Sequence, residues 1–312
     1  MEVLILNKKK KVIISISTLL IVISTVLFSL AYRYLIEREE TPVSANNTTN
    51  VSESTNQADK SEATYDDWNY VRDDLEIKIK KVESGSGDDK VTYFVADVQI
   101  KDTSDLYSAF AKNKFGRNIV ETTSSIAEEN NAVFAINGDY YGFRENGILI
   151  RNGVIYRDAA EREGLALYSD GTMKTYDETK TSAEELISQG VIDTFSFGPA
   201  LLENGAAITN FDNIKIDNNM GNRTIQDSNP RTGVGIISPD HYVFVVVDGR
   251  KEGYSKGMTL NEFSKLFEEL GCTDAYNLDG GGSSTMYFMG RVVNNPLGKN
   301  QEREISDILY FK

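Results

Sequence analysis

The segment Asn277-Leu278-Asp279-Gly280-Gly281-Gly282-Ser283-Ser284-Thr285 concentrates the most unusual chemistry in the chain. It follows an apolar run that reads as a buried strand, so a carboxylate, three glycines and two hydroxyls meet at a strand end. Consecutive glycines lose more backbone entropy on folding than other residues, so their presence answers a geometric need. Amides along such a run can form an anion-binding concavity. A tight turn or a bulge would answer the same need. The run is no P-loop, because the Lys of the Gly-x4-Gly-Lys-Ser/Thr pattern is missing.

A second cluster, Asn137-Gly138-Asp139-Tyr140-Tyr141-Gly142, also ends an apolar strand. Aromatic rings beside amide and carboxylate groups suit a sugar, whose CH faces stack while its hydroxyls hydrogen-bond; Tyr140 and Tyr141 would serve equally as core or rim residues. Arg231 in Pro230-Arg231-Thr232-Gly233-Val234-Gly235 and Arg250 in Val247-Asp248-Gly249-Arg250 lie at the outer ends of a hairpin that turns through Pro239-Asp240. Such ends are neighbours in an antiparallel pair. Two guanidiniums on one rim suit a carboxylate or phosphate, and each would also suit a structural ion pair. Gly233-x-Gly235 is followed by a strand rather than a helix, which rules out a dinucleotide fingerprint.

The single histidine, His241, and single cysteine, Cys272, exclude a multi-histidine metal site, a zinc-finger ligand set and an internal disulfide. His241 sits in the hairpin turn, far from both arginines, where a histidine is structural or exposed. Cys272 reads as a small buried residue.

These residues need elements to hold them. Leu75, Ile77 and Ile79 alternate with charged residues, and Val91–Ile100 follows a turn-rich stretch, which predicts a hairpin. Asn152-Gly153 and Asp170-Gly171 predict two more. Helices are expected over 118–130 and 183–189, and from the capping box Thr259-Leu260-Asn261-Glu262 to Leu270, closed by Gly271. Strands outnumber helices and short turns join most of them, which predicts an α+β domain of mixed, mainly antiparallel sheet with a few helices. The expected layout is a cytoplasmic N-terminus at 1–11, a transmembrane signal-anchor at 12–34, a flexible extracytoplasmic linker at 35–73 and the domain at 74–312.

The anchor rests on 21 uncharged residues from Val12 to Tyr32 behind Lys8, Lys9, Lys10 and Lys11. About 20 such residues cross a bilayer as a helix, and the basic cluster keeps the N-terminus inside. This gives a single-pass cell-membrane protein whose C-terminal domain is extracytoplasmic. A cleaved signal peptide would have a shorter apolar region and a small-x-small site after Leu30. Asp212, Asp217, Asn218 and Asn219 offer the oxygen ligands Ca²⁺ takes, but at no EF-hand spacing; they read as a solvated loop, and no cofactor or metal is expected.

The chain carries 33 Lys and Arg against 47 Asp and Glu, a net charge of −14. Residues 1–34 hold five cations and one acid, a net of +4, so the remainder stands at −18. A body this acidic repels a polyphosphate backbone, so nucleic acid is not an expected partner.

Taken in order, Asn137-Gly138-Asp139-Tyr140-Tyr141, Gly147–Gly153, Phe197–Leu202, Arg231–Gly235, Val247–Arg250 and Asn277–Ser284 resemble the phosphodiester glycosidase family, over about residues 118–312. Its bacterial members often carry one N-terminal membrane segment and are sometimes labelled exopolysaccharide biosynthesis proteins. The resemblance implies hydrolysis of a sugar-1-phosphodiester at the anomeric carbon, with a phosphate-linked cell-surface glycan, teichoic-acid-like polymer or exopolysaccharide as substrate. It implies Asp279 as the catalytic carboxylate, with Asp248 or Asp139 as a second acid. Arg231, Arg250 and the amides and hydroxyls of Gly280, Gly281, Gly282, Ser283 and Ser284 would hold the phosphate. Asn137, Tyr140 and Asn277 would bind the sugar, or the two asparagines would fix the loops. The competing reading is a glycan-binding or polymer-assembly protein on the same fold.

Overall fold

The computed structural model describes residues 2–43, 63–101, 106–214, 216 and 224–312. A helix, Glu2–Tyr34, precedes the domain, and its stretch Lys10–Tyr34 is long and apolar enough to cross a membrane.

The domain is built on a nine-stranded sheet in the order Ala206–Ala207, Ala200–Glu203, Asp274–Leu278, Arg231–Ser238, His241–Val247, Val91–Ile100, Leu75–Ser84, Asn69–Arg72 and Thr64–Tyr65. Every neighbouring pair in it is antiparallel. A five-stranded sheet, centred on Phe134–Asn137 between Met286–Phe288 and Asp307–Phe311, lies against one face. The helix Leu260–Glu269 covers the other.

The strand His241–Val247 shows why both faces are dry. Side chains alternate across a strand, so Phe244 and Val246 pack with Phe134, Ile136 and Phe311 of the smaller sheet. Val243, Val245 and Val247 point the other way and pack under Phe263 and Phe267 of the helix. Gly233 and Gly235 make room for that helix: a Cβ on Gly233 would stand 2.9 Å from the Phe263 ring, and one on Gly235 would stand 2.7 Å from Cys272 Sγ. Cys272 is buried there, and its thiol is pushed up to about 12 by desolvation.

The expected hairpins form at Asn152-Gly153 and Asp170-Gly171. The helices run Thr123–Glu129, Ala183–Ser188 and Leu260–Glu269, the last opened by the Thr259–Glu262 capping box. The linker expected over 35–73 lies outside the described residues at 44–62, and its two ends are paired. Arg38–Glu39 pairs with Gly116–Arg117, and Thr64–Tyr65 and Asn69–Arg72 extend the large sheet ahead of residue 74. Trp68 stacks on Phe94 with ring centroids 6.5 Å apart, and Tyr70 is buried. Two lone aromatics in a polar stretch give no periodic signal, yet they dock the segment. Of the loop considered for Ca²⁺, Asp217, Asn218 and Asn219 lie outside the described residues. Among those described, no three His, Cys, Asp or Glu side chains cluster as a metal ion requires.

Candidate active site

Antiparallel register brings the strand ends together. Arg231 lies opposite Val247, and Thr232 opposite Leu278, so Arg231, Asp248 and Asp279 leave the large sheet at one edge. Asn137 ties the smaller sheet to that edge. Its Oδ1 accepts from the Thr232 hydroxyl (2.8 Å) and the Thr285 amide (3.1 Å), and its Nδ2 donates to the Asp279 carbonyl (2.6 Å). With these bonds made and no exposure, Asn137 fixes the loop that carries Asp279.

The Asp279 carboxylate accepts from Ser283 Oγ at 2.5 Å and from Arg303 Nη2 at 3.1 Å, both at Oδ2. Burial raises its pKa above the ordinary 3.8, and Arg303, then Ser283 and Arg144, oppose the rise. Arg303 itself is half exposed, so the pair marks the boundary between core and solvent. Its guanidinium also donates to Ser283 Oγ through Nε (3.1 Å) and Nη2.

Each of the three glycines has its own reason. A Cβ on Gly280 would lie 2.7 Å from the Pro230 carbonyl oxygen. Gly281 has φ +63°, and a Cβ there would lie 3.1 Å from Arg250 Nη2. A Cβ on Gly282 would lie 3.1 Å from Arg303 Cδ. The run is therefore a bare floor on which two arginines from separate loops lie. Its amides are partly committed: Gly281 donates to the Pro230 carbonyl and Ser283 to the Gly280 carbonyl, so those two are not available to an anion. Ser284 Oγ, Thr285 Oγ1 and Asn277 Oδ1 are buried without a hydrogen-bond partner. Asn277 Nδ2 donates to the Gly198 carbonyl at 2.8 Å, fixing the Gly198-Pro199 loop.

Three expected site residues make their hydrogen bonds to the protein. Asp248 is buried, and its carboxylate accepts from Asn294 Nδ2 (2.8 Å), the Tyr254 hydroxyl (2.7 Å) and the Asn295 amide (3.0 Å). It clasps two loops, with burial raising its pKa. Asp139 accepts from the Tyr141 amide (2.6 Å) and the Ser196 amide (3.0 Å), and lies 3.6 Å from Arg151, which also meets Asp307 at 2.5 Å. Arg231 is buried and donates to the carbonyls of Met258 (2.9 Å), Ile225 (2.6 Å) and Asp227 (2.8 Å). Burial, then the charge of Arg250, pushes its pKa down to about 10. Buried polar groups must find partners, and a sequence does not say whether the partner is a ligand or the protein itself.

Arg250 donates to Asn229 Oδ1 at 2.7 Å and stays at the rim. Tyr140 is half-buried, stacked on Phe143 with ring centroids 4.8 Å apart, and the Arg144 guanidinium stands 5.1 Å from its ring centroid. Arg144 and Arg303 were not legible as site residues. Arg303 sits between Glu302 and Glu304 and looks like surface charge; Arg144 closes the loop that begins at Asp139, which is its only sequence signal. His241 lies apart, hydrogen-bonded through Nε2 to Asp97 at 3.0 Å.

The edge thus offers a largely buried carboxylate and a hydroxyl beside Arg303, with Arg250 over the glycine floor and Arg144 against the Tyr140 ring. A negative substrate with an apolar face fits such a surface.

Comparison with known proteins gives the chain its family. The chain is 34% identical over 204 residues to the SPbeta prophage-derived uncharacterized protein YomE of Bacillus subtilis (strain 168), covering 62% of this chain and 30% of that one. It therefore spans about 30% of the length of that relative. The fold is similar to the catalytic domain of zebrafish N-acetylglucosamine-1-phosphodiester alpha-N-acetylglucosaminidase, auto-inhibited by its pro-peptide, with a TM-score of 0.59 at 20% identity over 76% of this chain and 83% of that one. It is also similar to a Synechocystis protein of known crystal structure, with a TM-score of 0.59 at 13% identity over 81% of this chain and 64% of that one. The sequence profile of phosphodiester glycosidases matches residues 130–312, and the chain belongs to that family.

Proposed function

We propose that the domain hydrolyses a sugar-1-phosphodiester at the anomeric carbon, releasing the sugar and a phosphomonoester. The observation that carries this reading is the Asp279 carboxylate, held by Ser283 and Arg303 on a floor of glycines. Asp279 acts as nucleophile or as base toward water and stabilises the oxocarbenium-like transition state. Most glycosidases add a second carboxyl group that protonates the leaving oxygen. A departing phosphate keeps the electron pair of the broken C–O bond as a stable anion, so guanidiniums replace the proton donor. Arg303 and Arg250 take that place, which leaves Asp248 and Asp139 free for the structural posts described above. Tyr140 and Arg144 form the sugar side of the rim.

The apolar helix reads as a single-pass anchor with its basic end inside, which puts the domain on the outer surface, acting on a phosphate-linked cell-surface glycan or exopolysaccharide. The test is incubation of the full chain in detergent with N-acetylglucosamine-1-phosphodiesters and with phosphate-linked polymers, following free sugar and phosphomonoester. Release of both is expected. Binding without release from any of them would make the domain a glycan-binding protein instead.

A further inference from the structure

The segment that follows the apolar helix is fastened to the domain. Arg38 and Glu39 pair with Arg117 and Gly116, the Glu40 amide donates to the Phe115 carbonyl (3.0 Å), and the Val43 amide donates to the Ile155 carbonyl (3.0 Å). Asn118 Nδ2 donates to the carbonyls of Arg33 (3.1 Å) and Ile36 (2.9 Å), so a domain residue caps the end of the helix. Glu37, Glu39 and Glu40 face Lys112 (2.5 Å), Lys114 (3.0 Å) and Arg157 (3.9 Å) in matching order. Gly116 admits nothing larger, because a Cβ would fall 2.0 Å from the Arg38 carbonyl oxygen.

The same docking strand touches the candidate site. The Gly142 carbonyl accepts from the Asn118 amide (3.1 Å) and from Arg117 Nε (3.1 Å). Gly142 lies in the turn Tyr141–Phe143, flanked by Tyr140 and Arg144. One residue, Tyr141, separates Gly142 from Tyr140, so their Cα atoms are at most about 7.6 Å apart along the backbone. The helix exit, the docking strand and the sugar side of the rim therefore form one continuous piece.

We propose that residues 35–43 clasp the domain onto the exit of the apolar helix and hold the candidate site at the bilayer surface, where it takes sugar-1-phosphodiesters whose alcohol is itself embedded in the membrane. The clasp is a property of the fold; the substrate class rests on the enzymatic reading above and on the helix being an uncleaved anchor. A domain on a free tether would sample the wall and medium, whereas a clasped one meets what the membrane presents.

The experiment uses the full chain in nanodiscs. Hydrogen exchange of the Glu40 and Val43 amides should be at least 100-fold slower than in an unstructured peptide. In Gly116→Val it should approach the unstructured rate, with the His241–Val247 strand still protected. Should Gly116→Val fail to fold, Glu40→Pro, which removes one docking amide from a half-buried position outside the core, is read at the Val43 amide, which should likewise approach the unstructured rate. The same sugar-1-phosphate esterified to a membrane-inserted polyprenyl alcohol and to a short soluble alcohol then tests the substrate class. The wild-type chain should favour the embedded ester at least tenfold, and either variant should lose that preference while keeping its rate on the soluble one. Fast exchange at Glu40 and Val43 in the wild type, or an intact mass showing removal of the helix, overturns the clasp. Equal rates on the two esters overturn the substrate class, and cleavage of neither overturns the enzymatic reading while the exchange result still decides the clasp.

Discussion

Arg303 Nη2 lies 3.1 Å from Asp279 Oδ2, joining a half-exposed cation to a carboxylate that is almost wholly buried. Burial alone drives the Asp279 pKa upward, and this guanidinium is the largest influence holding it down. The ionised form that the proposed chemistry needs therefore depends on a residue 24 positions away in sequence.

Asp279→Asn keeps the shape of the side chain and removes its charge. It should lower kcat by about 10²–10⁴-fold, with an unchanged melting temperature or a higher one, since a carboxylate that is costly to bury is gone. Steady-state kinetics beside thermal unfolding checks this; full activity would remove Asp279 from the mechanism.

The acid limb of the kcat/KM profile should fall above 3.8, because Asp279 must be ionised and its pKa is raised. Arg303→Met removes the cation that opposes the rise, so the limb should move further up in pH. A loss of about 10²-fold in kcat should accompany the shift, from missing stabilisation of the departing phosphate. A limb that stays in place would uncouple the two residues.

Asp248 should behave as a clasp. Asp248→Ala leaves the Tyr254 hydroxyl, the Asn295 amide and one of the two Asn294 Nδ2 hydrogens without an acceptor, the other still donating to the Ser284 carbonyl, at about 1–3 kcal/mol for a buried donor. A fall in the urea midpoint is expected, and Asp248→Asn should retain at least a tenth of wild-type turnover. Loss of turnover in Asp248→Asn as deep as in Asp279→Asn, at full stability, would make Asp248 the second catalytic acid.

Arg151 sits between Asp139 and Asp307 with all three buried. Arg151→Met should cost about 3–5 kcal/mol, the usual consequence of stranding buried charge. Burial, then the neighbouring Asp139 charge, pushes the Asp307 pKa up to about 7. Between the ordinary 3.8 and about 7 the folded chain holds a proton that the unfolded chain has lost. That contribution to stability is complete below 3.8 and disappears as pH rises through about 7. Urea midpoints measured from pH 4 to pH 8 should decline over this window, and less steeply in Asp307→Asn.

Much of this protein was legible in its sequence because the relevant physics is local. Alternation of apolar residues marked the strands, Asx-Gly pairs marked hairpins, the Thr259–Glu262 box opened its helix, and 21 uncharged residues marked the membrane-length helix. The three glycines marked the strand end at which Asp279 meets Arg303. What the tertiary structure alone decided was which polar groups remain for a substrate. Asp139, Asp248 and Arg231 had the composition of site residues, yet each spends its hydrogen bonds on the protein. Arg303 and Arg144 had the composition of surface charge, yet each comes close enough to influence Asp279. Whether the residues after the helix float or dock was likewise settled only by pairing with Gly116, a contact between strands 78 residues apart. Satisfaction of buried polar groups is a long-range condition, set by neighbours that folding supplies, and no local pattern in the chain encodes it.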